Sequence, residues 1–328
     1  MTDTLTPSRR QTTTPTPTGR LRAAAVTAAA VLAVVWPAIA GPYPVTVAAT
    51  ALVFALLAVS TQLLVGVCGL PAFGQAAYFG VGAYTAALLA RAGHTLGVEH
   101  LAAATAAAAI AGAVTAPIVL RTRGTAFLMA TFAVQSLAAT AASQWRSLTG
   151  GDEGITTPPV TLWPGGPALT APAAVYWYVL AITAIVSVVL AVLLRSRLVL
   201  ALRGISGHEP RMTALGHRVT GQLTAGYTIA AALAGTAGAL LVTVHQFVSP
   251  GDLGFEVASL ALLAAAIGAG SMTGAAAGAL LIVAVRDGAG ISSGGMSPLL
   301  LGLLFLLVAY RRPVLAWLRP RPTGRNRP

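Results

Sequence analysis

The residues that most often carry chemistry are few and scattered in this chain. The five histidines, at 94, 100, 208, 217 and 245, show no metal-ligand spacing, and the single cysteine, Cys68, permits no internal disulfide. All 20 basic residues are arginine. Without lysine there is no GxxxxGK[ST] phosphate loop, Schiff-base amine or nucleotide-clamping ammonium, so no ATPase site, cofactor or metal is expected within the chain. An intramembrane hydrolase would need a nucleophile and a base at membrane depth, and every histidine sits at the edge of an apolar stretch or in a loop. What remains is a handful of polar groups inside apolar stretches, Gln75, Tyr78, Tyr84, Gln135 and Ser136, together with runs of glycine. An amide inside a bilayer costs free energy unless it faces a partner helix or a watery cavity, so Gln75 and Gln135 are candidates for either role.

The elements that hold these groups are set by composition. With 328 residues, 56% of them hydrophobic, 9% charged and a mean hydropathy of +0.79, the chain belongs in lipid, since soluble domains carry about a quarter charged residues. At about 20 residues per crossing, the apolar stretches supply roughly ten transmembrane helices. The expected fold is therefore an all-α polytopic membrane protein, embedded from 21 to 312 with spans at about 23–40, 45–67, 75–92, 101–120, 124–143, 174–194, 223–243 and 297–310. The apolar run 257–286 is too long for one crossing, and its glycines predict two helices meeting near 270–273. Residues 1–20, rich in Thr, Pro and Arg, read as a disordered cytoplasmic tail, and 313–328 as a basic one. Ala38-Ile39-Ala40 mimics a signal-peptidase site, but the many spans that follow make 23–40 a retained first helix.

Ten crossings with the N-terminus inside place 17 arginines on the cytoplasmic face and only Arg91, Arg146 and Arg286 outside. That bias fits the positive-inside rule, so both termini are expected to be cytoplasmic and the high isoelectric point reflects topology, not nucleic-acid binding. Glycines at 69, 74, 80, 82, 270, 274 and 278 mark hinge or close-packing positions. The breaks at 69–74 and 268–274 suit two structural repeats flanking a translocation path, with Gln75, Tyr78, Tyr84 and Gln135 as its candidate lining. The rings of Tyr78, Phe79 and Tyr84 have a blander use, packing against Gly80 and Gly82.

The polar segment 195–222 shows internal design. Apolar Leu202, Ile205, Met212 and Leu215 are interrupted by Gly204, Gly207 and Pro210, which predicts two short helices. Pro210 suits a first helical turn, Glu209 the positive helix start and Gly216 a left-handed terminus, so a compact helix at 210–215 is expected on the membrane surface.

Here a resemblance becomes specific. EPRMTALGHRV (209–219), AALAGTAGAL (231–240) and FVSPGDLGF (247–255) resemble segments of the branched-chain amino acid ABC transporter permeases. GLPAFGQAAYFGVGAYTAALL (69–89), RGTAFLMATFA (123–133) and SLTGGDEGIT (147–156) resemble that family's first-half signature, next span and periplasmic turn. The likeness covers about residues 45–310, with two departures: Gln75 stands where many members carry histidine, and Pro71 where a smaller polar residue is common. It implies a permease subunit of the plasma or inner membrane that works with cytoplasmic ATPase subunits consuming ATP, a second permease subunit forming a heterodimer, and an extracytoplasmic substrate-binding protein. It also implies that Glu209, Arg211, Ala214 and Gly216 lie on a coupling helix that docks into the ATPase. The alternatives are a urea or amide permease of the same architecture and a stand-alone secondary transporter, which would need an acid, base or cation site within the membrane.

Overall fold

The computed structural model describes residues 33–163, 165–268, 270–292 and 302–303. The two terminal tails lie outside these residues, as do most of the expected first span and all but two residues of the expected last one. The described chain is helical almost throughout, and five of its helices are long and apolar enough to cross a bilayer.

The ten principal helices are α1 (Pro42–Gln62), α2 (Gln75–Arg91), α3 (Gly97–Val119), α4 (Thr125–Gln144), α5 (Pro172–Leu193), α6 (Arg197–Gly207), α7 (Glu209–Ala214), α8 (Val219–His245), α9 (Phe255–Ile267) and α10 (Met272–Ser292). Their ends follow local chemistry. Pro42 and Pro172 open α1 and α5, where a missing N–H is harmless and the fixed φ already suits a helix. The Ser196 hydroxyl accepts from the Val199 N–H at the start of α6. The turns alternate between two ends of the bundle. The arginine-bearing turns at 121–123 and 195–218 share one, called here the basic end; residues 94–99, 150–163, 246–252 and 286–287 share the other, the acidic end.

Two departures from a plain helical reading appear. The first is a six-residue π-helical turn, Leu63–Cys68, that continues α1 before Gly69 (φ +70) breaks the chain. The second is a short antiparallel pairing, Ile155–Thr156 with Phe247–Val248, in register Ile155 to Val248 and Thr156 to Phe247. It corrects an all-α expectation locally: the long 144–172 loop is pinned to the turn that follows α8.

Helix α8 is central, packed against α1, α2, α3 and α5. In α1 and α8, 72% of the apolar stretch is buried, against 22% in α4. Glycine makes the central crossings possible. A Cβ on Gly82 would lie 2.5 Å from the Gly235 Cα, and one on Gly235 would lie 2.8 Å from the Ala104 carbonyl oxygen. Tyr78 and Tyr227 meet edge to face at 5.7 Å with hydroxyls 3.0 Å apart, and the Tyr78 hydroxyl lies 2.5 Å from Thr115 Oγ1. The outer faces of α3 and α5 leave Ile110, Val114, Ile118, Val188 and Val192 exposed, as helices facing lipid tails would. The expected meeting of two helices near 270–273 is observed: α9 ends at Ile267 and α10 begins at Met272.

Candidate functional site

The polar segment 195–222 is built as its sequence suggests. Arg197–Gly207 and Glu209–Ala214 form two short helices, with Val199, Leu202 and Ile205 of α6 buried against the bundle. Gly216 takes φ +83, a left-handed conformation natural to glycine, and ends the second helix. α7 has no buried residue, and Leu215 beside it is 69% exposed.

A charged pair ties α7 to the bundle, beside the packing of half-buried Met212. Arg123 donates from Nε to Glu209 Oε2 at 3.0 Å and from Nη2 to Glu209 Oε1 at 2.9 Å, a fork-to-fork pair. Its Nη1 also reaches the Leu120 carbonyl and, at 3.0 Å, that of Thr122, placing the cation on the last turn of α3. The Arg123 bond holds the Glu209 carboxyl below its ordinary value of 4.5, against a smaller upward push from burial. A depressed folded-state value means the pair adds stability above the unfolded carboxyl's range and loses it as pH falls through the folded value. With side chains 38% and 40% exposed, the pair contributes under about 1 kcal/mol and is screened by salt. Glu209→Gln is thus expected to lower the melting temperature slightly at pH 7 and low salt. Thermal unfolding in detergent checks this, since the difference from wild type should disappear as pH falls through the carboxyl's lowered folded-state range, and in high salt.

Two interruptions of the helices converge on α4. Thr131 and Gln135 lie one turn apart on the buried stripe of that helix. The Phe73 N–H, in the break between α1 and α2, donates to Thr131 Oγ1 at 3.2 Å. Gln135 Nε2 donates to the Leu253 carbonyl at 2.6 Å, in the Pro250–Leu253 turn before α9. Gln135 lies nine residues inside the end of α4, roughly 13 Å at 1.5 Å per residue, so the 249–254 segment runs back into the bundle. Phe73, Phe132 and Phe255 close over the meeting point, with ring centroids 5.5 to 6.2 Å apart. Irregular backbone at such depth is tolerated only against protein or a watery cavity.

A hollow of about 970 Å³ opens among α1, α8, α9 and α10. Its floor is apolar, with Phe54, Leu260, Ala264, Ala279 and Ile282, and its rim carries Asp252, Glu256, Arg286 and Asp287. Arg286 Nη2 pairs with Glu256 Oε1 at 2.9 Å, and the Tyr43 hydroxyl donates to Asp287 Oδ1 at 2.5 Å. Asp252 folds back to accept from the Ser249 N–H at 2.9 Å. Thr50 Oγ1 lies 3.1 Å from His245 Nε2 on the same wall. Charge of both signs above an apolar floor suits a small zwitterion with a hydrocarbon side chain.

Of the four polar residues expected to line a path, none borders this vestibule. Gln75 is buried, its Oε1 accepting from Ser60 Oγ at 2.9 Å. Tyr78 is held by Tyr227 and Thr115 as described, Tyr84 packs among Ile155, Val248 and Leu253, and Gln135 carries the Leu253 bond. Gln75 Nε2, Gln135 Oε1 and the Tyr84 hydroxyl have no partner among the described residues. The seven marked glycines divide by role. Gly69 and Gly270 take positive φ at turns, and a Cβ on Gly270 would meet nothing within 4 Å, so of its two expected roles the chain break fits it better than close packing. Gly274 and Gly278 do pack, against Gly268 and Ala264. Gly74 faces Thr131 and Tyr227. Gly80 receives the Leu253 side chain and Gly82 the Gly235 backbone, where tyrosine rings were the expected neighbours.

Sequence reasoning missed Arg123 as a structural partner, reading it only as a topology marker, and missed Thr131, Gly235, Gly238 and the charged rim. Arg123 carried a weak signal, a fork-shaped cation just before Gly124 at the head of a span. Leu253 carried none, because a backbone carbonyl is common to every residue.

The chain is similar to known proteins along most of its length. A profile for the branched-chain amino acid transport system permease component matches residues 43–309. The high-affinity branched-chain amino acid transport system permease protein LivM of Escherichia coli (strain K12) is 29% identical over 327 residues, covering 90% of this chain and 75% of the relative. The protein of the same name from Salmonella typhimurium (strain LT2) is 28% identical over 309 residues, covering 86% and 72%. No solved structure matches the chain.

Proposed function

We propose, for a chain that belongs to the family of branched-chain amino acid transport permease components, that it forms half of the membrane core of an ATP-binding-cassette importer. It is a multi-pass protein of the inner membrane, as its family is. The finer reading is that it crosses ten times with both termini cytoplasmic, so that the basic end faces the ATPases and the acidic end faces a substrate-binding protein. The observation that carries the reading is α7: a short exposed helix, closed by Gly216 and presented at the basic end beside the arginine-rich turns. Apart from the half-buried Glu209 and Met212, its residues are exposed, a surface suited to burial in another chain. The absence of lysine throughout the sequence supports an ATPase supplied in trans.

Branched-chain or related amino acids are the substrate class, supported by the family and by the chemistry of the vestibule. An α-ammonium is matched by Asp252, Glu256 and Asp287, an α-carboxylate by Arg286, and an aliphatic side chain by the floor. Urea, which has no hydrocarbon part, leaves that floor unmatched. Alternating access then follows if ATPase closure moves α7 and re-packs the bundle around the solute.

Purification of the tagged chain from its native membrane in mild detergent, with every stoichiometric partner identified by mass spectrometry, tests this. Co-purifying P-loop ATPases and a second permease chain are expected, and the recovered assembly with its binding protein should import leucine, isoleucine or valine in proteoliposomes. A lone chain or a homo-oligomer without ATPases overturns the importer reading. Import of urea in place of the amino acids overturns the substrate assignment alone.

A further inference from the structure

We propose that α4 is a transmission rod that carries movement of the coupling helix α7 to the wall of the vestibule, with Arg123 and Gln135 as the positioning residues at its two attachments. This inference rests on the importer reading above and adds the route by which the two ends of the chain communicate. Three observations converge on it.

The first is where α4 is tied. Arg123, two residues before its first turn, grips Glu209 with two charge-assisted bonds. Further along, Gln135 donates to the carbonyl of Leu253. Leu253 closes the segment whose Ser249, Gly251 and Asp252 form part of the vestibule wall. The Leu253 side chain is lodged in the notch left by Gly80. A pull on that carbonyl therefore acts on a segment keyed into α2 as well as on the wall.

The second is how little else holds α4. Its buried residues are Phe127, Thr131, Gln135 and Ala142, one stripe flanked by the half-buried Ala130, Val134, Ala138 and Ala139, and only 22% of its apolar stretch is fully buried within the chain. A helix gripped along one seam translates or rolls with small loss of packing, whereas α8, enclosed by its neighbours, cannot. A hydrogen-bonded helix is also stiff along its axis, so displacement at one end reaches the other.

The third is that the chain leaving α4 returns to the same wall. Thr149 Oγ1 donates back to the Ala142 carbonyl at 2.6 Å, and the following residues Ile155–Thr156 pair with Phe247–Val248, which lead into the 249–253 segment. Two attachments, one by amide and one by strand pairing, join α4 to the wall. Thr131, holding the Phe73 N–H, adds the break between α1 and α2 to the same rod.

The test uses the whole assembly, with both permease chains, ATPases and binding protein, in proteoliposomes. The native thiol, Cys68, is buried, so Gly251→Cys supplies a distinct reporter on the wall. A Cβ there meets only Ser249 Oγ, at 3.4 Å. Its modification rate with a membrane-impermeant thiol reagent is measured with and without ATP plus vanadate, alongside uptake per ATP hydrolysed. Trapping is expected to change the labelling rate several-fold when α4 is intact. Gln135→Leu is expected to abolish that change and to lower uptake per ATP by about tenfold while hydrolysis continues. Arg123→Glu is expected to do the same from the exposed end, where folding is not at risk. The double change Arg123→Glu with Glu209→Arg is expected to restore the labelling response. Wild-type labelling response and uptake per ATP in Gln135→Leu, or no recovery in the exchanged pair, overturns the inference and leaves the importer reading intact. A wild-type assembly with no ATP-driven uptake overturns the importer reading, and this inference with it.

Discussion

Gly238→Leu is expected to yield no folded monomer, as read by fluorescence-detected size exclusion after expression in membranes. A Cβ at 238 would collide with the Phe79 carbonyl oxygen and would lie 2.8 Å from the Ala83 nitrogen, both backbone atoms of α2. No side-chain rotation relieves such a contact; α2 must move off α8. That movement would open the interlocked crossing in which Gly82 meets Gly235 and Gly235 meets Ala104 and Ala108. Overpacking by even one methyl costs about 1–3 kcal/mol, and an isobutyl group forces the separation of both helices. Set against a total stability of about 5–15 kcal/mol, the larger substitution removes most of it. Gly221→Ala, on the same helix, is the contrast. Nothing lies within 4 Å of a Cβ there, so alanine should stabilise α8 by up to about 1 kcal/mol through helix propensity. Equal behaviour of alanine at 221 and 238 in a thermal melt would refute close backbone packing at this crossing.

The second large effect is functional. Glu209→Ala and Gly216→Val are each expected to lower ATP-driven uptake by more than about tenfold while leaving the chain folded in the membrane. Glu209 opens α7 and, among the described residues, is its only hydrogen-bonded link to the α3–α4 turn, so its loss frees α7 from Arg123. Gly216 acts differently. Its φ of +83 is strained for any residue with a Cβ, and for a β-branched one most of all, so valine there unwinds the end of α7 and misdirects it. Neither residue is buried, so the elution profile and melting temperature should stay within a few degrees of wild type. Unimpaired uptake in both variants would sink the assignment of α7 as the coupling element.

The position of α7 was legible because its determinants are local. Proline in a first turn, an acid at the positive helix start and glycine at the left-handed terminus act within a few residues of each other. The sequence expectation of 210–215 and the observed Glu209–Ala214 differ by one residue at each end. The division of 257–286 at glycines was legible for the same reason. Membrane character was legible from composition, because a bilayer imposes one crude requirement on every crossing, and the asymmetry of arginine between turns is likewise a property of the chain read linearly.

Which side chains meet across the bundle was not legible, and the reason is physical. In a soluble helix polar residues mark the outside, so periodicity reveals which face is buried. In α3, α4 and α5 both faces are apolar, because lipid and protein interior ask for the same side chains. Gln135 could be recognised as needing a partner, but its partner is a carbonyl 118 residues away. Arg123 and Glu209 lie 86 residues apart and look, in sequence, like two ordinary charges in two cytoplasmic turns. Gly82 and Gly235 become meaningful only once their helices cross. By itself, then, the sequence determined that this chain lives in a membrane, where its turns are and what shape α7 takes, since those depend on neighbours along the chain. The tertiary structure alone decided which helix is central, what α4 connects and where a solute-sized hollow opens, since those depend on which apolar surfaces meet, and apolar surfaces carry no address.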